Sequence, residues 1–283
     1  MANADLRPMT LGEVLDRTFT IYREHFLLFA GITALPYLLM LVFNFGVLLI
    51  QRSGMHGSPP SLTSPGLIGG IVAGAIGGMF LFFLMIGVAH AATVSAVSDL
   101  YLGQPTSVRA AYAQAKGSIW IVIAVMFMSF LATVVGLFLF LIPGIYLACR
   151  LAVSIPVAVV EKESPVGAME RSMELTKGYG WQIFLLLLLV AMLGWVVAVI
   201  LEAPGMVFTF LAAIAKQQPS IGATIYTYLA QYVAQVIVGP IGTISSSLMY
   251  FNLRVRKEGF DIQYLMNTLS STPRPLADPS GIQ

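Results

Sequence analysis

Residues 181–201 read WQIFLLLLLVAMLGWVVAVIL, 21 consecutive positions without a charged side chain. In a helix rising about 1.5 Å per residue the run measures about 31 Å, the thickness of a bilayer's hydrocarbon core. Only a segment that satisfies its own backbone amides is stable there, so the run reads as a transmembrane helix. Five further apolar runs accompany it, at 26–50, 67–98, 118–142, 144–160 and 221–251. None holds Asp, Glu or Lys, and Arg150 is the one fully charged side chain within them. The chain is therefore expected to be all-α, a polytopic membrane protein of six transmembrane helices. The run 144–160 is the shortest. With Pro143 before it and Pro156 inside it, it pairs with 118–142 as a tight hairpin or as one re-entrant element. Residues 206–215 are apolar but too few to cross, and are expected along the outer interface or under a neighbouring helix.

The composition of all 283 residues agrees: 58% are hydrophobic and 10% charged, against about 25% charged in a soluble domain. Mean hydropathy is +0.86. A net charge of +2 with scattered bases excludes a nucleic-acid-binding stripe. The single cysteine, Cys149, excludes an intrachain disulfide framework. Twelve of the fifteen Lys and Arg residues fall on one set of alternate loops and termini, whereas Arg52 and Lys216 fall on the other. Short basic loops stay in the cytoplasm, which places both termini there. The polar stretch before residue 25 lacks the form of a cleaved signal peptide.

Each odd-numbered run is preceded by a short amphipathic segment. The first starts at Thr10, with Glu13 at capping-box spacing and Leu11, Val14, Leu15, Phe19 and Tyr22 on one face. The third starts at Ser164 with Pro165 in the first turn, followed by Val166, Met169 and Met173. Between them Asp16-Arg17-Thr18 aligns with Glu170-Arg171-Ser172. The middle copy runs from Thr106 through Val108, Ala111, Tyr112 and Ala115. The expected organisation is one transmembrane domain over 1–268, with three repeats at about 10–98, 106–160 and 164–251. A disordered cytoplasmic tail follows at 269–283.

Ionisable residues at membrane depth are functional candidates, since burying one is costly. Counted back along the helices, Arg150 and His90 lie about 15 and 12 Å from the cytoplasmic boundary. Gln231 and Gln235 occupy the matching helix of the third repeat, and Tyr146 sits one turn before Arg150. A polar pocket of Arg150, His90, Gln235 and Tyr146 is the candidate site. In the competing reading, Arg150 snorkels or bonds carbonyls freed by the prolines, while His and Gln join helices. Gly70, Gly74 and Gly78 have the spacing of a close helix contact. Arg254, Arg256 and Lys257, just past the last run, suit anionic lipid headgroups or serve as a topology anchor. No HExxH, GxSxG, P-loop or GxGxxG is present, so neither an enzyme nor a cofactor is expected.

Three segments carry a family resemblance: YFNLRVRKEGFD at 250–261, PGIYLACR at 143–150 and SPVGAMERSMELTKGYGW at 164–181. They resemble the recurrent blocks of a bacterial and archaeal membrane family that includes the membrane domain of some glycerophosphoryl diester phosphodiesterases. The likeness covers the second half of the chain well and the first half loosely. Asn252 stands where that pattern has an acidic residue. The resemblance implies a polytopic helical module in the cytoplasmic membrane, sometimes fused to a lipid-headgroup hydrolase. The chain has no residues left over for that hydrolase's barrel. Membrane lipids, and a lipid-metabolism or transport protein, are the implied partners. The expected role is a non-enzymatic, lipid-associated accessory; the alternative is a small-solute or lipid transporter working around Arg150.

Overall fold

A computed structural model of the chain describes residues 8–53 and 65–259; the expected tail at 269–283 lies outside them. Among the described residues there are ten helices and no strand. They are α1 (Leu11–Glu24), α2 (Phe26–Ser53), α3 (Pro65–Tyr101), α4 (Val108–Ala115), α5 (Ile119–Leu139), α6 (Leu141–Arg150), α7 (Ser154–Val160), α8 (Pro165–Thr176), α9 (Gly180–Ile214) and α10 (Ile221–Glu258). Six stretches are long and apolar enough to cross a membrane, α6 and α7 together making one of them. The order of one short helix, one outgoing span and one returning span occurs three times.

Outgoing and returning spans differ in where they sit. The most apolar windows of α2, α5 and α9 are 28%, 17% and 11% buried, whereas those of α3, α6 with α7, and α10 reach 56%, 50% and 67%. The returning helices thus form the inside of the bundle and the outgoing ones its lipid-facing wall. Sequence explains the difference, because the outgoing helices are rich in Leu, Val and Phe. The inner ends of the returning helices carry small and hydroxyl residues that allow close approach: Ala91, Ala92 and Ser95 on α3, Ser154 and Ala158 on α7, Thr243, Ser245 and Ser247 on α10. The Ser95, Ser245 and Ser247 hydroxyls donate to carbonyls one turn back in their own helices, so none is left unsatisfied. Tyr101 stacks on Phe251 at 4.4 Å where α3 meets α10.

The short helices pack at one end of the bundle, called here the basic end. Their N-caps are Thr10, Ser107 and Ser164, each side chain accepting from the backbone N–H three residues on. The middle cap is therefore Ser107 rather than Thr106. Four residues beyond each cap comes a buried residue (Val14, Ala111, Ala168), and four further another (Thr18, Ala115, Ser172). Phe19 and Val166, expected on the packed faces, are instead exposed. The packed sides of these helices therefore mix small and hydroxyl residues with large apolar ones such as Val14, Ile21 and Leu175, while Phe19 and Val166 point outward.

Proline sites inside the spans share one solution. Pro36 removes the amide that would pair with the Ile32 carbonyl, and the Tyr112 hydroxyl of α4 donates there instead. Pro240 similarly frees the Val236 carbonyl, which accepts from Thr33 at 3.3 Å, while the adjacent Ile237 carbonyl accepts from Tyr22 at 2.7 Å. Beside Pro204, the Leu201 carbonyl accepts from Tyr226 at 2.8 Å. Pro156 stops α6 from running on into α7, and the Arg150 carbonyl left at the break accepts from Ser172 at 2.8 Å and Thr176 at 3.2 Å. Hydroxyls from neighbouring helices thus satisfy the carbonyls that hydrocarbon cannot.

Of the two readings for 118–160, the structure has the tight hairpin. A single extended residue, Phe140, separates α5 from α6, and Gly136 and Gly144 let the two helices meet. Residues 206–215 lie on no interface of their own, because α9 continues through Pro204 to Ile214. Neighbouring helices re-satisfy a proline break inside a membrane helix, so Pro204 does not end it. At 35 and 38 residues, α9 and α10 measure about 52 and 57 Å, well beyond the thickness of the hydrocarbon core. Among the described residues nothing stands within 4 Å of a Cβ at Gly70 or Gly74, and Gly78 meets only the Phe43 ring, so the glycine stripe makes little close contact with them.

Candidate functional site

At the basic end, charges from three helices converge. Arg171 of α8 holds Glu161, just past α7, at 3.2 Å, Glu174 at 3.0 Å, and Glu258 of α10. Arg254 holds Glu258 at 3.0 Å and donates to the Tyr250 hydroxyl at 3.1 Å, and that hydroxyl donates to Glu161 at 2.9 Å. Burial alone would lower the Arg171 pKa; hydrogen bonds to Glu174 and Glu258 and the charges of Glu161 and Glu258 outweigh it and raise it. Arg254, expected to meet lipid headgroups, is thus engaged inside the protein, with its side chain 17% exposed.

Asn252 supplies a second lock. It is buried, accepts from the Met9 amide at 2.8 Å and donates to the Met9 carbonyl at 2.9 Å, which pins the chain entering α1 against α10. Arg256 donates to the same carbonyl at 2.7 Å. A carboxylate in place of Asn252 could accept but not donate, so this reciprocal pair needs an amide.

Arg150 differs from these residues. Its guanidinium lies 5.8 Å from the Tyr146 ring and makes no ion pair among the described residues. Lys257, whose ammonium donates to the Glu174 carbonyl at 2.7 Å, lies within range of the Arg150 and Lys177 charges. Tyr146 lines an apolar groove of about 350 Å³ between α6 and α9, together with Ile142, Ile145, Cys149, Trp181 and Phe184. Trp120 and Trp181 are exposed at the starts of α5 and α9, the level at which indole rings mark a membrane interface.

A second cavity, of about 250 Å³, lies towards the other end, between α2, α9 and α10. It is lined by Tyr37 and Asn44 of α2, Glu202 of α9, and Tyr228, Gln231, Tyr232 and Gln235 of α10, with three apolar neighbours. Glu202, Asn44, Gln231 and Gln235 make no hydrogen bond or ion pair among the described residues.

The structure therefore separates the four residues expected to share a pocket. Arg150 and Tyr146 stand together at the basic end, Gln235 lines the far cavity, and His90 lies on α3 as a lining residue of neither. The depth count treated 144–160 as one helix, whereas the break at 151–153 brings the Arg150 carbonyl against α8. Glu202 escaped the sequence reading because the apolar run was ended at Leu201; its signal was a lone acid between two apolar stretches. Among the described residues no group of three or more His, Cys, Asp or Glu side chains could hold a metal ion.

No curated protein and no solved structure matches the chain. A family model does, that of the membrane domain of glycerophosphoryl diester phosphodiesterase, over residues 120–268. The match begins at the head of α5 and takes in the hairpin, the Arg150 break, the charge network and Asn252. It covers more than half of the 283 residues. By that match the chain, six apolar helices around a hydroxyl-lined interior, belongs to the family of the membrane domain of glycerophosphoryl diester phosphodiesterase.

Proposed function

We propose that this chain is a non-enzymatic membrane module that holds anionic lipid at its basic end, serving as a lipid-associated accessory or scaffold. One observation carries the reading: Arg150, without a carboxylate partner, stands beside an acyl-chain-sized apolar groove, with Lys177 and Lys257 close by. An acyl chain would lie along Tyr146, Trp181 and Phe184 while the phosphate meets the cations, each worth about 1 kcal/mol near the surface. Of the three bases first expected to do this, Lys257 and Arg256 remain at the rim, both beside the Tyr179 ring, while Arg254 is committed to Glu258. The excess of Lys and Arg at this end orients it towards the cytoplasm of a bacterial or archaeal cell, with both termini inside. The matched caps and buried positions of α1, α4 and α8 support an origin by internal triplication. A lipid-metabolism enzyme is the natural partner, the family being named for the membrane domain of one.

Native mass spectrometry of protein released from nanodiscs tests the reading. Phosphatidylglycerol should be retained over phosphatidylcholine, and Arg150→Gln with Lys257→Gln should cut that preference about tenfold or more. Equal retention by the variant refutes it. The transport alternative would be favoured by liposome flux of solute or lipid that Arg150→Leu abolishes without loss of folded protein.

A further inference from the structure

Among the described residues, the far cavity holds a carboxylate, Glu202, that makes no hydrogen bond or ion pair. Glu202 lies about 33 Å along α9 from Gly180, near the far edge of the hydrocarbon core. Counted the same way from Phe251, Gln235 lies about 24 Å and Tyr228 about 35 Å from the basic end, so the lining runs from Glu202 and Tyr228 near that edge to amide groups deeper in. Among the described residues its lining holds one carboxylate, neutral amides and three tyrosines, and no Lys, Arg or His. A phosphate or other anion would find no positive partner there. A neutral polyol could bond the amides but would leave the carboxylate without a counter-charge in a setting of low dielectric. A small cation with an apolar body satisfies both requirements, since its charge pairs with Glu202 and its methyl or methylene groups lie on ring faces that favour cations.

We infer that this cavity binds a small organic ammonium ion, seated between Glu202 and the ring of Tyr228, which lie at the same depth. The inference is independent of the lipid site at the basic end, since the two share no lining residue. The same chemistry is offered by a free amine from outside and by the headgroup of an aminophospholipid in the facing leaflet.

The test uses the full chain in nanodiscs of phosphatidylglycerol, a lipid without an ammonium group, titrated calorimetrically with ethanolamine hydrochloride and tetramethylammonium chloride. Both should bind saturably, and glycerol and sodium chloride should not. Glu202→Gln should weaken binding at least tenfold, Glu202→Asp should keep most of it, and Tyr228→Ala should weaken tetramethylammonium more than ethanolamine. Replacing half the lipid with phosphatidylethanolamine separates the sources. A fall in apparent ethanolamine affinity identifies the lipid headgroup as occupant, and an unchanged affinity identifies a free amine. Absence of saturable ammonium binding to the wild-type chain overturns the inference, as does sodium binding as well as the amines or equal binding by Glu202→Gln. Should Glu202→Gln not fold, the wild-type selectivity and the Asp variant decide.

Discussion

The two ends of the bundle solve the same problem in opposite ways. At the basic end, polar groups are paired with one another: Arg171 and Arg254 with Glu161, Glu174 and Glu258, Asn252 with Met9, and the hydroxyls of α8 with the Arg150 carbonyl. At the far end, Asn44, Gln231, Gln235 and Glu202 surround a cavity and make no such pairs among the described residues. Paired polar groups hold helices in one arrangement, whereas unpaired ones around a hollow are available to something that enters. The difference fits the two proposals above, in which the paired groups hold the architecture and the groups left without such pairs, Arg150 with its lysines and Glu202 with its amides, are the ones offered to ligands.

The largest effect is expected where the pairing is densest. Arg171→Ala leaves Glu161 and Glu258 facing each other's side of the network with only Arg254 between them. Breaking a fully buried pair costs about 3–5 kcal/mol; with the Arg171 side chain 27% exposed, about 2–3 kcal/mol is expected. Denaturant unfolding in mixed micelles should show the loss, whereas Glu202→Gln at the far end should leave unfolding nearly unchanged. Comparable losses from the two would erase the contrast between the ends.

A smaller effect belongs to the hairpin between α5 and α6. A Cβ on residue 144 would stand 2.6 Å from the Leu137 amide nitrogen, a backbone atom that cannot swing aside. Gly144→Ala should therefore splay the hairpin and cost about 1–3 kcal/mol, the range for overpacking. Gly74→Ala, with nothing near its Cβ position, is the control and should be neutral or slightly stabilising. Thermal unfolding of the pair in one detergent measures both.

How far the sequence carried these conclusions varied with the physics behind each signal. The six spans were legible because hydrocarbon imposes a length and an absence of charge that any window of sequence reveals. The caps at Thr10 and Ser164 were legible because capping is local. The packed faces of α1 and α8 were legible in part: Val14 is buried and Leu11, Leu15 and Tyr22 pack against the core, but Phe19 and Val166 are exposed, and Thr18, Ala168 and Ser172, small or hydroxyl residues on the packed side, give no hydrophobic signal. The pairing of Arg171 with Glu258 joins positions 87 residues apart and leaves no trace in either neighbourhood. The pocket expected around Arg150 failed on one point, a helix break that moved the residue to the basic end, while Gln235 did line a cavity whose acid, Glu202, had been left outside the span.

The smallest predicted effect is the most specific, because it tests whether hydroxyls are present to serve the proline breaks. Tyr112→Phe removes the donor to the Ile32 carbonyl and should cost between about 0.6 and about 1.7 kcal/mol, the average and the maximum measured for hydrogen bonds between membrane helices. In a Pro36→Ala background residue 36 regains its amide, which can donate to that same carbonyl one turn back, so the Tyr112→Phe penalty should shrink to a few tenths of a kcal/mol. The coupling in this double-mutant cycle should therefore lie between about 0.3 and about 1.4 kcal/mol, and independent, additive losses would sever the hydroxyl from the proline. A pH profile supplies the sign. Burial pushes the Tyr112 phenol from 10.0 up to about 12, so the folded chain keeps a proton that the unfolded chain loses between those values. The Tyr112 contribution to stability should be constant below about pH 10 and fall above it in the parent chain, and this part of the fall should be absent from Tyr112→Phe.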